Sequence, residues 1–187
     1  MRKPLILIGG TAGTGKTSLA RKVSSRFSID HRLGTGFVRE IVKSQTNEKE
    51  EPSLYTFTFQ TTDPVQNLIK QSQRLYKPIK ACIERARNEG TSLVIEGTHL
   101  IPAIYRNENV DLYIILAAPE VTEHYKRITG ASHSLRSISV RDFENACLID
   151  RFLSEESRRY GITYFVATNN LDDLLALIRD RLEKSYK

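Results

Sequence analysis

The chain of 187 residues has no tryptophan, one methionine and only two cysteines. Cys82 and Cys147 stand inside helix-like patterns, too few for a disulfide scaffold or a metal cage. No H-E-x-x-H, C-x-x-C or G-x-S-x-G string occurs, and His31, His99, His124 and His133 lack metal-ligand spacing. Zinc hydrolases and serine hydrolases are thereby excluded on pattern. Long apolar runs are missing too: Leu112–Pro119 falls far short of the ~20 residues that span a bilayer. Met1-Arg2-Lys3 leads into a short apolar stretch that meets Gly9 before any cleavage-site pattern, so no secretory signal is expected. The chain reads as cytoplasmic, with no membrane partner. Repeats, low-complexity linkers and blocks of like charge are absent as well.

What is present is an ordinary globular mixture, 40% hydrophobic and 27% charged, of a length that fits one domain over residues 1–187. The net charge of +6 favours an anionic partner. It permits nucleic acid without favouring it, because an enzyme handling two phosphorylated ligands needs the same sign. Oligomeric state is left open by the pattern.

Short apolar runs alternate with helix-period segments. Leu5–Ile8 reads as a strand buried on both faces, followed by a helix from Lys16 to Phe27. A second strand region precedes a short helix over Thr35–Val42. Asn47–Pro52 reads as a surface loop, and the Tyr55–Phe59 alternation as a half-buried segment packed on the core. Val65–Glu89 is a long helical pattern that Pro78 is expected to kink or split and Gly90 to close. Ser92–Ile95 and Val110–Ala117 are strands, the second stopped by Pro119 at the first position of a helix. Thr129–Ser137 reads as a mobile loop, within a lid expected around residues 127–141. Ser139 and Asp142 form a capping box opening a helix to Arg159; Ile162–Ala167 is the last strand and Leu171–Leu182 the closing helix. Alternating strands and helices predict an α/β fold, a three-layer sandwich around a parallel sheet, with ligands at the carboxyl ends of the strands.

The residues with chemistry follow the strands. Gly10-Thr11-Ala12-Gly13-Thr14-Gly15-Lys16-Thr17 fits G-x-x-x-x-G-K-[ST] between a buried-type strand and an amphipathic helix. Its glycines let successive amides face inward as an anion nest, and the helix N-terminus adds positive partial charge. The nucleotide-binding set runs from Gly10 through Ser18. Lys16 is expected to reach the β- and γ-phosphates, and the Thr17 hydroxyl to ligate Mg²⁺. Glu96, after Val94-Ile95, is positioned to orient metal-bound water or take a substrate hydroxyl proton. Arg127 and Arg136 flank the lid and would neutralise charge on the moving phosphoryl group; Arg141 follows them. Arg39 could clamp an anionic substrate, and His99 lies beside the Glu96 site. His124 and His133 read as surface or lid residues.

Ile6-Leu7-Ile8-Gly9-Gly10-Thr11, Gly34-Thr35-Gly36-Phe37-Val38-Arg39-Glu40 and Val94-Ile95-Glu96-Gly97-Thr98-His99-Leu100-Ile101-Pro102 are similar, in this order, to the kinase domain of archaeal 2-phosphoglycerate kinases. The resemblance covers nearly the whole chain. It implies a nucleoside-kinase-like P-loop fold with five parallel strands in the order 2-3-1-4-5. It also implies ATP and Mg²⁺ as cofactors and phosphoryl transfer to a hydroxyl of a small phosphorylated acid. By that carry-over Lys16, Glu96, Arg127 and Arg136 are catalytic, Arg39 and His99 face substrate, and Thr17 with Glu96 meets the metal. The family pattern has an aspartate where this chain has Gly36. Its role as base or metal partner would then pass to Glu96, with Asp30 or Glu40 as alternatives. Because the P-loop starts at residue 10, the resemblance is expected to leave out the family's amino-terminal regulatory domain. Two other readings are a kinase for a nucleotide or RNA end, and a nucleotide-gated switch with weak ATPase activity.

Overall fold

A computed structural model describes residues 3–130, 137–167 and 171–185. Strands β1 (Leu5–Gly9), β2 (His31–Gly34), β3 (Leu93–Glu96), β4 (Leu112–Ala117) and β5 (Thr163–Val166) form one parallel sheet in the order β2-β3-β1-β4-β5. Among the described residues, seven α-helices connect and cover them: α1 (Lys16–Arg26), α2 (Thr35–Lys43), α3 (Pro64–Glu89), α4 (Pro102–Tyr105), α5 (Val121–Thr129), α6 (Val140–Arg159) and α7 (Leu171–Ser185). This is the predicted three-layer sandwich, with the predicted strand order.

The central run Leu5-Ile6-Leu7-Ile8 has no polar position because both of its faces are covered. Leu5 and Leu7 pack with Leu68, Leu75 and Ile79 of α3 and with Ala146, Ile149 and Leu153 of α6. Ile6 and Ile8 point the other way, into Leu19, Ala20 and Val23 of α1 and Ile178 and Leu182 of α7. Such burial, at roughly 25 cal/mol per Å² of apolar surface, holds the carboxyl ends of β1, β3 and β4 at a common edge. At the opposite edge the Leu5 amide donates to Asp111, whose carboxylate pairs with Arg87 at 2.8 Å.

One element differs from expectation, the start of α5. Of the two effects expected of Pro78, a split does not occur: α3 runs unbroken for 26 residues. The proline removes the amide that would pair with the Arg74 carbonyl, and Gln73, Arg74 and Lys77 lie on the exposed face of the helix. Pro119 precedes the helix rather than opening it; Glu120 is the N-cap and accepts from the Thr122 amide at 3.1 Å. Tyr55–Phe59 is half-buried and packed on the core as read: a 3-10 turn over Pro52–Tyr55 leads into a bend that buries Leu54, Thr58 and Phe59. The capping box of Ser139 and Asp142 forms as read. Of the expected mobile loop, residues 131–136 lie outside the described residues.

Candidate functional site

The P-loop leaves β1 at Gly9 and enters α1 at Lys16. Gly10 takes φ 139°, and a β-carbon there would sit 2.2 Å from the Leu116 carbonyl oxygen. Gly13 and Gly15 take φ 79° and 88°. Only glycine adopts this sequence of conformations without strain, and it turns consecutive amides toward one point. No side chain caps the start of α1, so its first-turn amides face the same point.

Lys16 is 8% exposed, and its ammonium folds onto the Thr11 carbonyl. Burial lowers its pKa to about 8, against the opposing attraction of Glu96 and Asp150. A cation so poor in partners fits a polyphosphate, whose oxygens would supply what burial removed. Thr17 donates its hydroxyl to Glu96 Oε1 at 3.0 Å. That hydroxyl and carboxylate are a fitting pair for Mg²⁺, an ion that takes few protein ligands and several phosphate or water oxygens. Among the described residues no cluster of three or more His, Cys, Asp or Glu could hold a metal by itself.

The P-loop, the end of β3, the start of α2 and the bend around Phe57 wall a cleft of about 840 Å³. Ala12 through Ser18, Arg39, Glu96, His99 and Arg127 all line it, whereas Gly10 and the buried Thr11, also expected at the site, do not. Arg136 and His133 lie outside the described residues. Arg39 is held on Glu40 at 2.6 Å, donates to the Thr56 carbonyl at 3.2 Å and rests over the Phe57 ring at 5.2 Å. Arg127 pairs with Glu123 at 2.9 Å, one turn back on α5. The Arg39 pair draws Glu40 below the usual carboxylate range, so it stays ionised beside the arginine. Asp30 stands at the far edge of the sheet, before β2, bonded to Ser92 and Lys3. That end is remote from the cleft, which removes it as a substitute for the aspartate absent at Gly36.

Of His99 and His124, only His124 departs from its expected place. His99 is buried, with Nδ1 at 2.8 Å from Thr35 Oγ1 and Nε2 at 2.8 Å from Gln71 Oε1. Its hydrogen-bonding capacity is therefore spent inside the wall. His124 is a core residue, 1% exposed, and not a surface one. Its Nε2 meets the Ala12 carbonyl at 2.8 Å, and a β-carbon on Gly13 would lie 3.1 Å from its ring. It braces the P-loop from α5, while the Thr11 hydroxyl donates to the Ala146 carbonyl of α6 at 3.0 Å. Sequence reasoning missed Gln71 and His124 because both are polar residues on helix faces, with partners distant in the chain.

Residues 6–147, more than half of the chain, match the AAA domain family. The chain belongs to that family. Over the same fold, this AAA domain resembles solved structures of a shikimate kinase from Acinetobacter baumannii bound to shikimate and of an uncharacterized protein from Eubacterium ventriosum. For the first the TM-score is 0.61 at 14% identity, covering 95% of this chain and 94% of the other. For the second the TM-score is 0.54 at 18% identity, covering 97% and 99%. In sequence it is similar to the 2-phosphoglycerate kinases of Thermococcus kodakarensis and Methanopyrus kandleri. The first is 25% identical over 96% of this chain and 66% of the relative. The second is 26% identical over 98% and 63%. The AAA domain thus spans just under two thirds of the length of these relatives. Among the described residues no helix is long and apolar enough to cross a membrane.

Proposed function

We propose that the chain is a kinase that moves the γ-phosphoryl group of ATP to a hydroxyl of a small phosphorylated acid, with 2-phosphoglycerate the first candidate. The observation that carries this reading is the position of Glu96. Its carboxylate ends β3, touches the P-loop through Thr17 and opens into a cleft whose other wall bears Arg39. A switch that only binds nucleotide has no need of a cleft that extends past the P-loop to Arg39.

Bound Mg-ATP would supply the transferable phosphoryl group and the divalent charge that stabilises it. The P-loop amides and Lys16 hold the triphosphate, and Thr17 with Glu96 faces the metal. Glu96 would also accept the hydrogen bond of the acceptor hydroxyl and orient it in line. At the acceptor end, Arg39 and the first turn of α2, which no side chain caps, favour an anion. Arg127, in the last turn of α5, would add positive charge where negative charge spreads in the transition state. Most of the catalysis is positioning and electrostatics.

The test is a panel of phosphorylated acids, 2-phosphoglycerate included, incubated with Mg-ATP and scored for ADP release and product mass. A kinase releases ADP faster when its acceptor is present and yields a product heavier by one phosphoryl group. ADP release that no acid stimulates would instead identify a nucleotide-gated switch. Stimulation by an oligonucleotide alone would identify a nucleic-acid acceptor.

A further inference from the structure

Gln71 lies on α3, wholly buried, and is not among the residues that line the cleft. Its amide nitrogen donates to two main-chain carbonyls, those of Ser53 and Thr56. Carbonyls only accept, so the orientation of the amide is fixed and Oε1 must be the atom facing His99. His99 Nε2, 2.8 Å away, must then carry a proton. The ring is neutral, since burial, with Arg39 and Lys16 nearby, lowers its pKa to about 3. Nδ1 is therefore bare, and the Thr35 hydroxyl 2.8 Å away must donate to it.

Every proton in this chain of bonds has one direction. One end reaches the Thr56 carbonyl, which also accepts from Arg39 Nη1 at 3.2 Å. The other reaches Thr35, against which Gly97 packs so closely that a β-carbon would fall 1.8 Å from Oγ1. Gly97 follows Glu96. The relay thus joins the acceptor-side cation to the strand end that bears the carboxylate, from Gln71 behind the cleft wall through His99 and Thr35, which line it.

We propose that Gln71 is a positioning residue that locks His99 in its Nε2–H tautomer and thereby sets the spacing between Arg39 and Glu96 for the acceptor. The kinetic part of this proposal rests on the kinase reading above; the tautomer part does not.

The experiment compares the whole chain with Gln71→Leu and Gln71→Glu. Histidine side-chain ¹⁵N spectra report the tautomer, calorimetry the Kd for Mg-ATP, and initial rates the acceptor KM. In the unaltered chain His99 is expected to show a protonated Nε2 and a bare Nδ1. Gln71→Leu removes the acceptor and the preference with it; Gln71→Glu keeps the Nε2–H form but loses both donations to the main chain. Both variants should raise the acceptor KM by about tenfold, the scale of one lost buried hydrogen bond, with the nucleotide Kd unchanged. A protonated Nδ1 in the unaltered chain overturns the proposal, as does an acceptor KM that neither variant moves. Parallel loss of nucleotide and acceptor binding would reduce Gln71 to a folding role and overturn it too. A chain that binds Mg-ATP but phosphorylates no acid defeats the kinase reading alone, and the ¹⁵N spectra then decide the positioning claim.

Discussion

The Thr17 hydroxyl donates to the Glu96 carboxylate across 3.0 Å, tying the first turn of α1 to the end of β3. Both groups are short of other partners and both face the cleft. Glu96→Gln keeps the side chain's shape and an oxygen for Thr17 to bond, and removes only the charge. Turnover is expected to fall by about 10²–10³-fold, with a higher magnesium concentration needed for half-maximal rate and an unchanged Tm. Steady-state rates across a magnesium titration check this. A variant that keeps full turnover would remove Glu96 from the chemistry.

Lys16 combines burial with a pKa lowered to about 8, so its charge is lost in a range open to experiment. Between about 8 and its ordinary 10.5, the unfolded chain binds more protons at this site than the folded one, so its contribution to stability rises with pH. Nucleotide affinity has the opposite sign, because a neutral amine attracts phosphate poorly. The Kd for Mg-ATP should weaken above about pH 8, approaching tenfold per unit, and binding there should take up protons. Calorimetry in two buffers of different ionisation enthalpy measures both. Lys16→Ala should abolish turnover, flatten the profile and leave the chain folded; a profile that stays steep in Lys16→Ala would place the titration elsewhere.

The sheet was legible where burial leaves a plain mark. Leu5–Ile8 and Leu112–Ala117 are apolar throughout because both faces are covered, and the P-loop pattern fixes where β1 ends. β2 is harder to read: His31-Arg32-Leu33-Gly34 is an edge strand with its first two side chains exposed, so no apolar run announces it. At the site, Lys16, Thr17, Glu96 and Arg39 follow from strand ends and motif spacing. The partners that hold them do not, since Gln71–His99 and His124–Ala12 join positions 28 and 112 residues apart. Pro78 left a kink and a split both open in the string, and the exposed side of the packed helix accommodates it without a split.

Gly97 is expected to tolerate no side chain. Its φ of 153° is unusual for other residues, and a β-carbon would overlap the Thr35 hydroxyl. Gly97→Ala should destabilise the fold by about 2 kcal/mol or more, through backbone strain and displacement of Thr35 from His99. Thermal or urea unfolding gives the number. A change below about 0.5 kcal/mol, the scale of ordinary surface substitutions, would mean that the turn after β3 relaxes without harm.

Asp30 tests the claim that stability and chemistry occupy opposite edges of the sheet. The Ser92 amide and hydroxyl both donate to its Oδ2, at 2.8 and 2.7 Å, and its own amide donates to Ser92 Oγ at 2.8 Å. These bonds, the main-chain one foremost, with Lys3 behind them, hold the Asp30 carboxyl well below the usual carboxylate range. A lowered folded-state pKa means stability that is present above the unfolded value of 3.8 and lost as pH falls beneath it. Asp30→Ala should therefore lower Tm at pH 7 and leave the Kd for Mg-ATP unchanged. The Tm gap between variant and parent should shrink as pH drops below about 4, where the parent's carboxylate begins to protonate on unfolding. Melting curves at neutral and acid pH, with calorimetry on the variant, measure each part. A gap independent of pH would show that Asp30 acts through packing rather than charge, and a weakened nucleotide Kd would show that the two edges are coupled.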